Sequence, residues 1–319
     1  MRENSTRAEL PESFFVARIG LAGARFVSWK KRYGKINNHN GAQPRDYWLE
    51  QWEKDEIVRF YKENESEGYR RCCYMMIDKN LVFASPSTTY RVLREAGAIR
   101  FRNIRRTTRG NGFLQPLLPH EHWHMDISNV KIHGVFYFLI CVLDGFSRSI
   151  VHWDLREEMK DKDIGIVQQA AREKYPDASP RYITDNGSQF TSKDFKQFIA
   201  DNGLTHWTTS PYYPQSNGKL ERFHRSIKDE CIKKKCPLSL DDARRIIDKY
   251  IKYYNEERLH SAIGYVSPAD RLAGKDRMIH SQRDGKLELR RAQRKELNGA
   301  FATTNLLITD RDYQLRNGS

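Results

Sequence analysis

Apolar and polar positions change their spacing along the chain in a way that separates helical from extended regions. Residues Phe14 to Tyr33 read as two short helices parted by Gly20-Leu21-Ala22-Gly23, with Phe26 and Trp29 three apart on one face of the second. Helix, short turn, helix is the outline of a helix-turn-helix unit. A polar Asn- and Gly-rich stretch follows from Lys35 to Arg45, and a second helical unit then runs from Tyr47 to Ala98. Within it Gly68-Tyr69-Arg70-Arg71 opens one helix, and Ser85-Pro86-Ser87 caps another over Thr88 to Ala96, stopped by Gly97.

From His120 the spacing becomes two. Trp123 to Val130, Val135 to Leu143 and Ser149 to Leu155 read as three consecutive strands, joined by His133-Gly134 and by Asp144-Gly145-Phe146-Ser147 as hairpin turns. Helix and strand then alternate: Lys160 to Tyr175, Arg181 to Thr184, Ser192 to Asn202, Thr205 to Thr208, and a helix from Gly218. The expected fold class is α/β, a mixed five-stranded sheet in the element order of ribonuclease H-like cores, preceded by α-helical DNA-binding units. The expected segments are 1–34 for the first helix-turn-helix, 45–100 for the second helical unit, 101–118 for a basic linker, 119–235 for the core, 236–275 for its C-terminal helical part, and 276–319 for a basic helix and tail. That last helix is placed at Asp284 to Leu297, with a polar tail beyond it.

Charge sharpens this division. The net +14 points to an anionic partner, but it is unevenly spread. Residues 1–115 hold 22 Lys and Arg against 13 Asp and Glu, residues 116–225 hold 13 against 14, and residues 226–319 hold 20 against 14. Basic flanks therefore enclose a nearly neutral centre. Arg100, Arg102, Arg105, Arg106 and Arg109 form a window without acids that suits a phosphate backbone. The longest apolar run, Val135 to Leu143, is nine residues, against the ~20 of a membrane-spanning helix. No membrane partner and no secretory signal are expected, and the compartment is expected to be cytoplasmic, with the nucleoid. Five cysteines without a C-x-x-C pair are read as free thiols.

Three acids stand out in the neutral centre. Asp126 lies inside the first strand, an unfavourable place for a charge unless it faces a site. Asp185 ends the fourth strand in Thr184-Asp185-Asn186-Gly187, and Glu221 opens a helix. On that helix Leu220, Phe223, Ile227 and Cys231 form the stripe that must face the sheet, so Glu221 lies beside it, with Arg225 and Lys228 on its own face. Converging carboxylates are what two-metal phosphoryl transfer needs, because Mg²⁺ takes hard oxygen ligands. Taken singly, each acid is an ordinary surface or capping carboxylate; the joint placement is what points to a site.

These residues resemble a known family. Asp126, Asp185 and Glu221, with 35 residues between the last two, match the DDE pattern of bacterial insertion-sequence transposases with a retroviral integrase-like core. The strings Trp123-His124-Met125-Asp126, Val142-Leu143-Asp144-Gly145-Phe146-Ser147-Arg148, Thr184-Asp185-Asn186-Gly187-Ser188-Gln189-Phe190 and Ser210-Pro211-Tyr212-Tyr213-Pro214-Gln215-Ser216-Asn217-Gly218 carry the likeness. It continues in Tyr254-Asn255-Glu256-Glu257-Arg258-Leu259-His260, which resembles the family's tail motif. The first helix-turn-helix is shorter at its amino end than the family's.

The resemblance implies a DDE polynucleotidyl transferase that nicks element ends and transfers the freed 3′-hydroxyl to another phosphodiester, without a covalent protein intermediate. It implies two Mg²⁺ ions held by Asp126, Asp185 and Glu221, with Mn²⁺ as a substitute. The implied partners are the element's terminal repeats, target DNA and further copies of the same chain. Arg91 and Arg94 of a candidate recognition helix, Arg102, Arg105 and Arg106 of the linker, and Asn217, Lys219, Arg225 and Lys228 near Glu221 are the expected DNA contacts. A ribonuclease H-like nuclease without strand transfer and an inactive DNA-binding relic are the alternatives. The helical units weigh against the first and the intact acidic triad against the second.

Other signals carry less. His120, His122 and His124 share strand parity with Asp126, but a zinc site would need a fourth ligand and a closed shell; only His124 is expected near the site, in support. Cys231 and Cys236 are expected to pack. The apolar face of Leu240 to Tyr254 reads as core or partner surface.

Overall fold

A computed structural model describes residues 9–33, 48–99, 115–208 and 218–317. The contacts divide the chain into two units, one drawn from its two ends and the other running over Leu49–Arg290. In the first lie α1 (Glu12–Arg18) and α2 (Gly23–Arg32), tied by Lys30 Nζ to Glu12 Oε2 at 2.5 Å. The glycine turn between them is the one the sequence indicates, with Gly20 at φ 68°.

The larger unit begins with α3 (Gln51–Glu63), α4 (Tyr69–Asp78) and α5 (Pro86–Glu95). They enclose a core of Ile57, Phe60, Cys72, Met76, Val82, Val92 and Leu93. Ser85 Oγ accepts from Thr88 N at 3.2 Å, with Pro86 just inside the helix, as a cap should. α3 starts at Gln51, a few residues later than the apolar pattern suggests.

The sheet consists of β1 (His122–Ile132), β2 (Val135–Asp144), β3 (Ile150–Arg156), β4 (Arg181–Thr184) and β5 (Thr205–Thr208), in the order β3-β2-β1-β4-β5. β1, β2 and β3 pair antiparallel, and β4 pairs parallel with β1 and β5. This is the ribonuclease H-like arrangement that the sequence predicts. His133 and Gly134 both take positive φ, 44° and 89°, the backbone that a two-residue hairpin with the sheet's twist requires.

Alternation along β1 and β2 gives each face its own core. Trp123, Met125, Ile140 and Val142 pack beneath α6 (Asp161–Lys174) and α8 (Lys193–Asp201), with the single turn α7 (Ser188–Thr191) alongside. Val130, Ile132, Leu139, Cys141 and Leu143 face α9 (Gly218–Ser226) and α10 (Leu240–Glu256). α9 continues as a π-helical stretch, Ile227–Ile232, and a last turn, Lys233–Lys235. Leu220, Phe223, Ile227 and Cys231 are all buried against the sheet, so the predicted stripe is correct. Cys236, expected to pack, is instead exposed beyond the end of that helix at φ 45°.

The segment after α11 (Pro268–Leu272) differs from expectation. In place of a short helix and a polar tail, α12 runs unbroken over Asp276–Asn317. No proline interrupts it, and Gly285 and Gly299 cost ~1 kcal/mol each without breaking a helix. Its first part ties the three-helix unit to the rest: Arg283 pairs with Asp78 at 2.6 Å, and Arg290 with Glu50 at 2.6 Å and Glu53 at 3.0 Å. No described helix is long and apolar enough to cross a membrane.

Candidate active site

Strand parity puts Asp126 on the face covered by α9, opposite Cys141 of β2. A carboxylate is costly there. Its only backbone donor among the described residues is Ile127 N, at 2.9 Å to Oδ1, while Oδ2 lies 3.6 Å from His224 Nδ1. Burial first and the negative charge of Asp185 second push the Asp126 carboxyl up to about 7, with Glu221 adding to the rise; the Ile127 bond and Lys228 oppose it. His224, reaching in from α9, is held down to about 3 by burial and then by Lys228. Two facing groups are thus both driven toward their neutral forms by a crowded, partly dry pocket.

Asp185 sits just past β4, exposed, with Oδ1 accepting from Gly187 N at 2.9 Å. A Cβ on Gly187 would lie 3.0 Å from that oxygen, so glycine is what lets the turn close on the carboxylate. Thr184 Oγ1, bonded to His206 Nε2 at 2.8 Å and to the Asp185 carbonyl at 2.9 Å, fixes the strand end. Glu221 is exposed in the first turn of α9.

Asp126 and Glu221 line one cleft of about 490 Å³, with Arg225, Lys228 and Lys233 on its rim, the last paired with Asp229 at 2.6 Å. Asp185 is not part of its wall; its charge nevertheless acts on Asp126. Among the described residues no three His, Cys, Asp or Glu side chains are grouped closely enough to hold an ion as they stand. The donor set still fits a hard divalent cation: three carboxylates and no sulfur, with Asp126 raised first by burial and then by neighbouring negative charge, which a cation would neutralise.

The expected DNA contacts divide. Arg225 is exposed and Lys228 half-buried on the cleft rim, and Arg91 and Arg94 are exposed on α5. Arg102, Arg105, Arg106 and Asn217 lie outside the described residues. Lys219 points elsewhere than expected: its ammonium donates to the Gly145 carbonyl at 3.0 Å. That bond pins the start of α9 to the β2–β3 turn, and burial, followed by the charge of Arg148, lowers the ammonium to about 7.

His124 is also corrected. Although it shares parity with Asp126, it is fully buried and lies outside the cleft, packed where a Cβ on Gly145 would come within 3.0 Å of its Nε2. Asp144 organises the same turn, accepting from His120 N, Ser147 N and Ser147 Oγ at 2.9, 2.7 and 2.6 Å. The residue that the sequence reading missed is His224. Its place three residues after Glu221 on a helix facing β1 was the available signal.

Comparison with known proteins follows the same outline. Integrase core domain families match residues 116–214 and 202–268. The chain is 29% identical over 220 residues to an insertion element IS407 protein of Burkholderia multivorans, covering 67% of this chain and 78% of that one. It is 30% identical over 162 residues to the transposase for insertion sequence element IS904 of Lactococcus lactis, covering 50% of this chain and 64% of that relative. It is 31% identical over 137 residues to a putative transposase for insertion element IS2E of Escherichia coli, 41% of this chain and 62% of the other. The chain thus spans a little under two thirds of the last two relatives. Among solved structures, the integrase catalytic core of HTLV-2 in complex with magnesium overlays with a TM-score of 0.39 at 22% identity, over 48% of this chain and 96% of that one.

Proposed function

We propose that this chain, which carries an integrase core domain over residues 116–268 and is related to insertion-sequence transposases, is a DNA transposase acting through Asp126, Asp185 and Glu221. The observation that carries the reading is the placement of Asp126 and Glu221 on one cleft beside Arg225 and Lys228. A half-buried carboxylate in a strand, on the wall of a cleft with Glu221 and beside basic side chains, and pushed up to about 7 by burial and by the charges of two further acids, is poorly arranged for stability alone.

Asp126, Asp185 and Glu221 are the residues that would hold Mg²⁺. When bound, a pair of such ions supplies activation of the attacking oxygen and neutralisation of charge at the scissile phosphate. The chain's own groups do the rest. Arg225, Lys228 and Lys233 bring backbone phosphates to the cleft, and long basic side chains there offset the repulsion between the acids and DNA. Main-chain bonds from Ile127 and Gly187 orient two of the carboxylates, and His224 stands beside Asp126 in the same cleft. Exposed Arg91 and Arg94 present a basic face on α5 for duplex DNA. The substrates on this reading are the element's terminal repeats and target DNA, with several copies of the chain assembling on them.

The test is incubation of the full chain with Mg²⁺ and labelled DNA taken from both sides of its gene, resolved for nicked and joined strands. Wild-type protein is expected to give both products, and Asp185→Asn neither. Activity surviving in Asp185→Asn would remove the carboxylate assignment, and nicks without joined strands would make the protein a nuclease.

A further inference from the structure

Arg222 follows Glu221 on α9 but opens onto a separate cavity of about 150 Å³. Its walls include Arg71 of α4, Arg222 and Ser226 of the α9 helix, and Arg258, His260 and Ser261 from the chain after α10. Three elements distant in sequence therefore direct guanidiniums to one small polar space.

Positive charge is in excess there. Arg71 pairs with Glu67, and Arg258 pairs with Glu230 at 2.6 Å. Those two pairs account for two cations and two anions. Arg222 is exposed at the cavity mouth, with no side-chain hydrogen bond or ion pair among the described residues. Arg71, in the cavity wall, keeps its Nε buried without a hydrogen-bond partner among the described residues. Buried guanidinium N–H groups without acceptors are costly, and a multidentate oxyanion is the acceptor that fits their planar fork. His260 registers the same field: burial, followed by the charges of Arg258, Arg148, Arg222 and Arg71, drives it down to about 3.

We propose that this cavity is a phosphate-binding site occupied by a backbone phosphodiester of bound DNA. The phosphate would bridge the three-helix unit, through Arg71, to the helix that carries Glu221, through Arg222. DNA held by the helical unit and the position of a catalytic carboxylate would then share one contact. The source of the phosphate rests on the transposase reading; the anion site itself does not.

The test uses the full-length chain and inorganic phosphate as probe, with thermal unfolding followed in chloride buffer at fixed ionic strength. Phosphate is expected to raise the midpoint of the wild type, to raise that of Arg222→Lys less, and to leave Arg222→Gln unmoved. A second measurement takes the dissociation constant for duplex DNA against salt. Arg222→Gln is expected to reduce the slope of log Kd on log salt by about one. A phosphate shift lost in Arg222→Gln with an unchanged DNA slope would keep the anion site and overturn the phosphodiester as its occupant. No phosphate shift in the wild type, or equal shifts in all three proteins, would overturn the site. Loss of DNA cleavage with the phosphate shift intact would count against the transposase reading alone.

Discussion

The side-chain amide of Asn255 takes both backbone groups of Ile150: Ile150 N donates to Oδ1 at 2.8 Å, and Nδ2 donates to the Ile150 carbonyl at 3.0 Å. Ile150 begins β3, the edge strand, and Asn255 lies in the last turn of α10, so one amide fastens the helix to a sheet edge that would otherwise keep unpaired groups. Asn255→Leu is expected to destabilise the protein by ~2–3 kcal/mol, because two buried backbone groups lose their partner. Urea unfolding checks this, and a cost below about 0.5 kcal/mol would show that the edge is satisfied otherwise.

Asp126→Asn should do the opposite to stability while abolishing cleavage. The folded carboxyl is raised from 3.8 to about 7, so its ionisation opposes folding. That penalty is fully present above about 7, shrinks as pH falls, and is gone below the unfolded value near 3.8. In EDTA at pH 8 the variant is expected to be more stable by on the order of 2–4 kcal/mol. At pH 4 the two proteins should unfold at nearly the same denaturant concentration.

His260 gives a titration of the other kind. Held at about 3 in the folded chain against an ordinary 6.5, it stays neutral while the unfolded chain takes up a proton. Stability present above 6.5 is therefore lost progressively as pH falls toward 3. Relative to His260→Gln, the wild type should lose ~1 kcal/mol between pH 7.5 and 5.5 in phosphate-free buffer. A pH-independent difference between the two proteins would contradict the burial of a neutral ring.

Lys228 and Lys219, nine positions apart, are expected to behave differently toward DNA. Lys228 stands on the cleft rim, whereas the Lys219 ammonium is bonded to Gly145. Lys228→Gln should lower the slope of log Kd against log salt by about one. Lys219→Gln should leave that slope unchanged and lower thermal stability instead. Equal slope changes would show that both ammonium groups reach phosphate.

Glu230 and Arg258 form the last pair worth breaking. Arg258 Nε and a terminal nitrogen bond the two Glu230 oxygens at 2.9 and 2.6 Å, and Tyr250 Oη donates to the same carboxylate at 2.8 Å. Burial raises the Glu230 carboxyl, but the Arg258 bond and charge outweigh it and leave it lowered. Glu230→Gln is expected to cost ~3 kcal/mol, since it leaves a buried guanidinium uncompensated. Calorimetry should show the melting temperature fall accordingly, with Glu230→Asp intermediate.

What the residues reveal by themselves is local. A period of two from Trp123 and of 3.6 from Gly218 marks strands and helices, because side chains alternate or spiral regardless of what lies beyond them. Ser85-Pro86 and His133-Gly134 set a helix start and a hairpin for the same reason, as their chemistry acts within a few residues. The stripe Leu220, Phe223, Ile227, Cys231 fixed which side of α9 meets the sheet, and hence that Glu221 would stand clear of it.

The tail motif shows where that reading stops. Tyr254 to His260 looks functional as a string, yet Asn255 braces β3, Arg258 neutralises Glu230, and His260 walls a cavity with Arg71 and Arg222. Each role depends on a partner between 28 and 189 residues away, and no period encodes such a partner.

The sequence alone determined the order of elements, the three acids and the basic flanks around a neutral centre, because composition and periodicity are properties of short stretches. Only the tertiary structure decided that Asp126 is pushed up to about 7, that His224 faces it, that Lys219 turns away to Gly145, and that a surplus of arginines surrounds one cavity. Burial and Coulomb interaction sum over neighbours in space, and folding is what makes these residues neighbours.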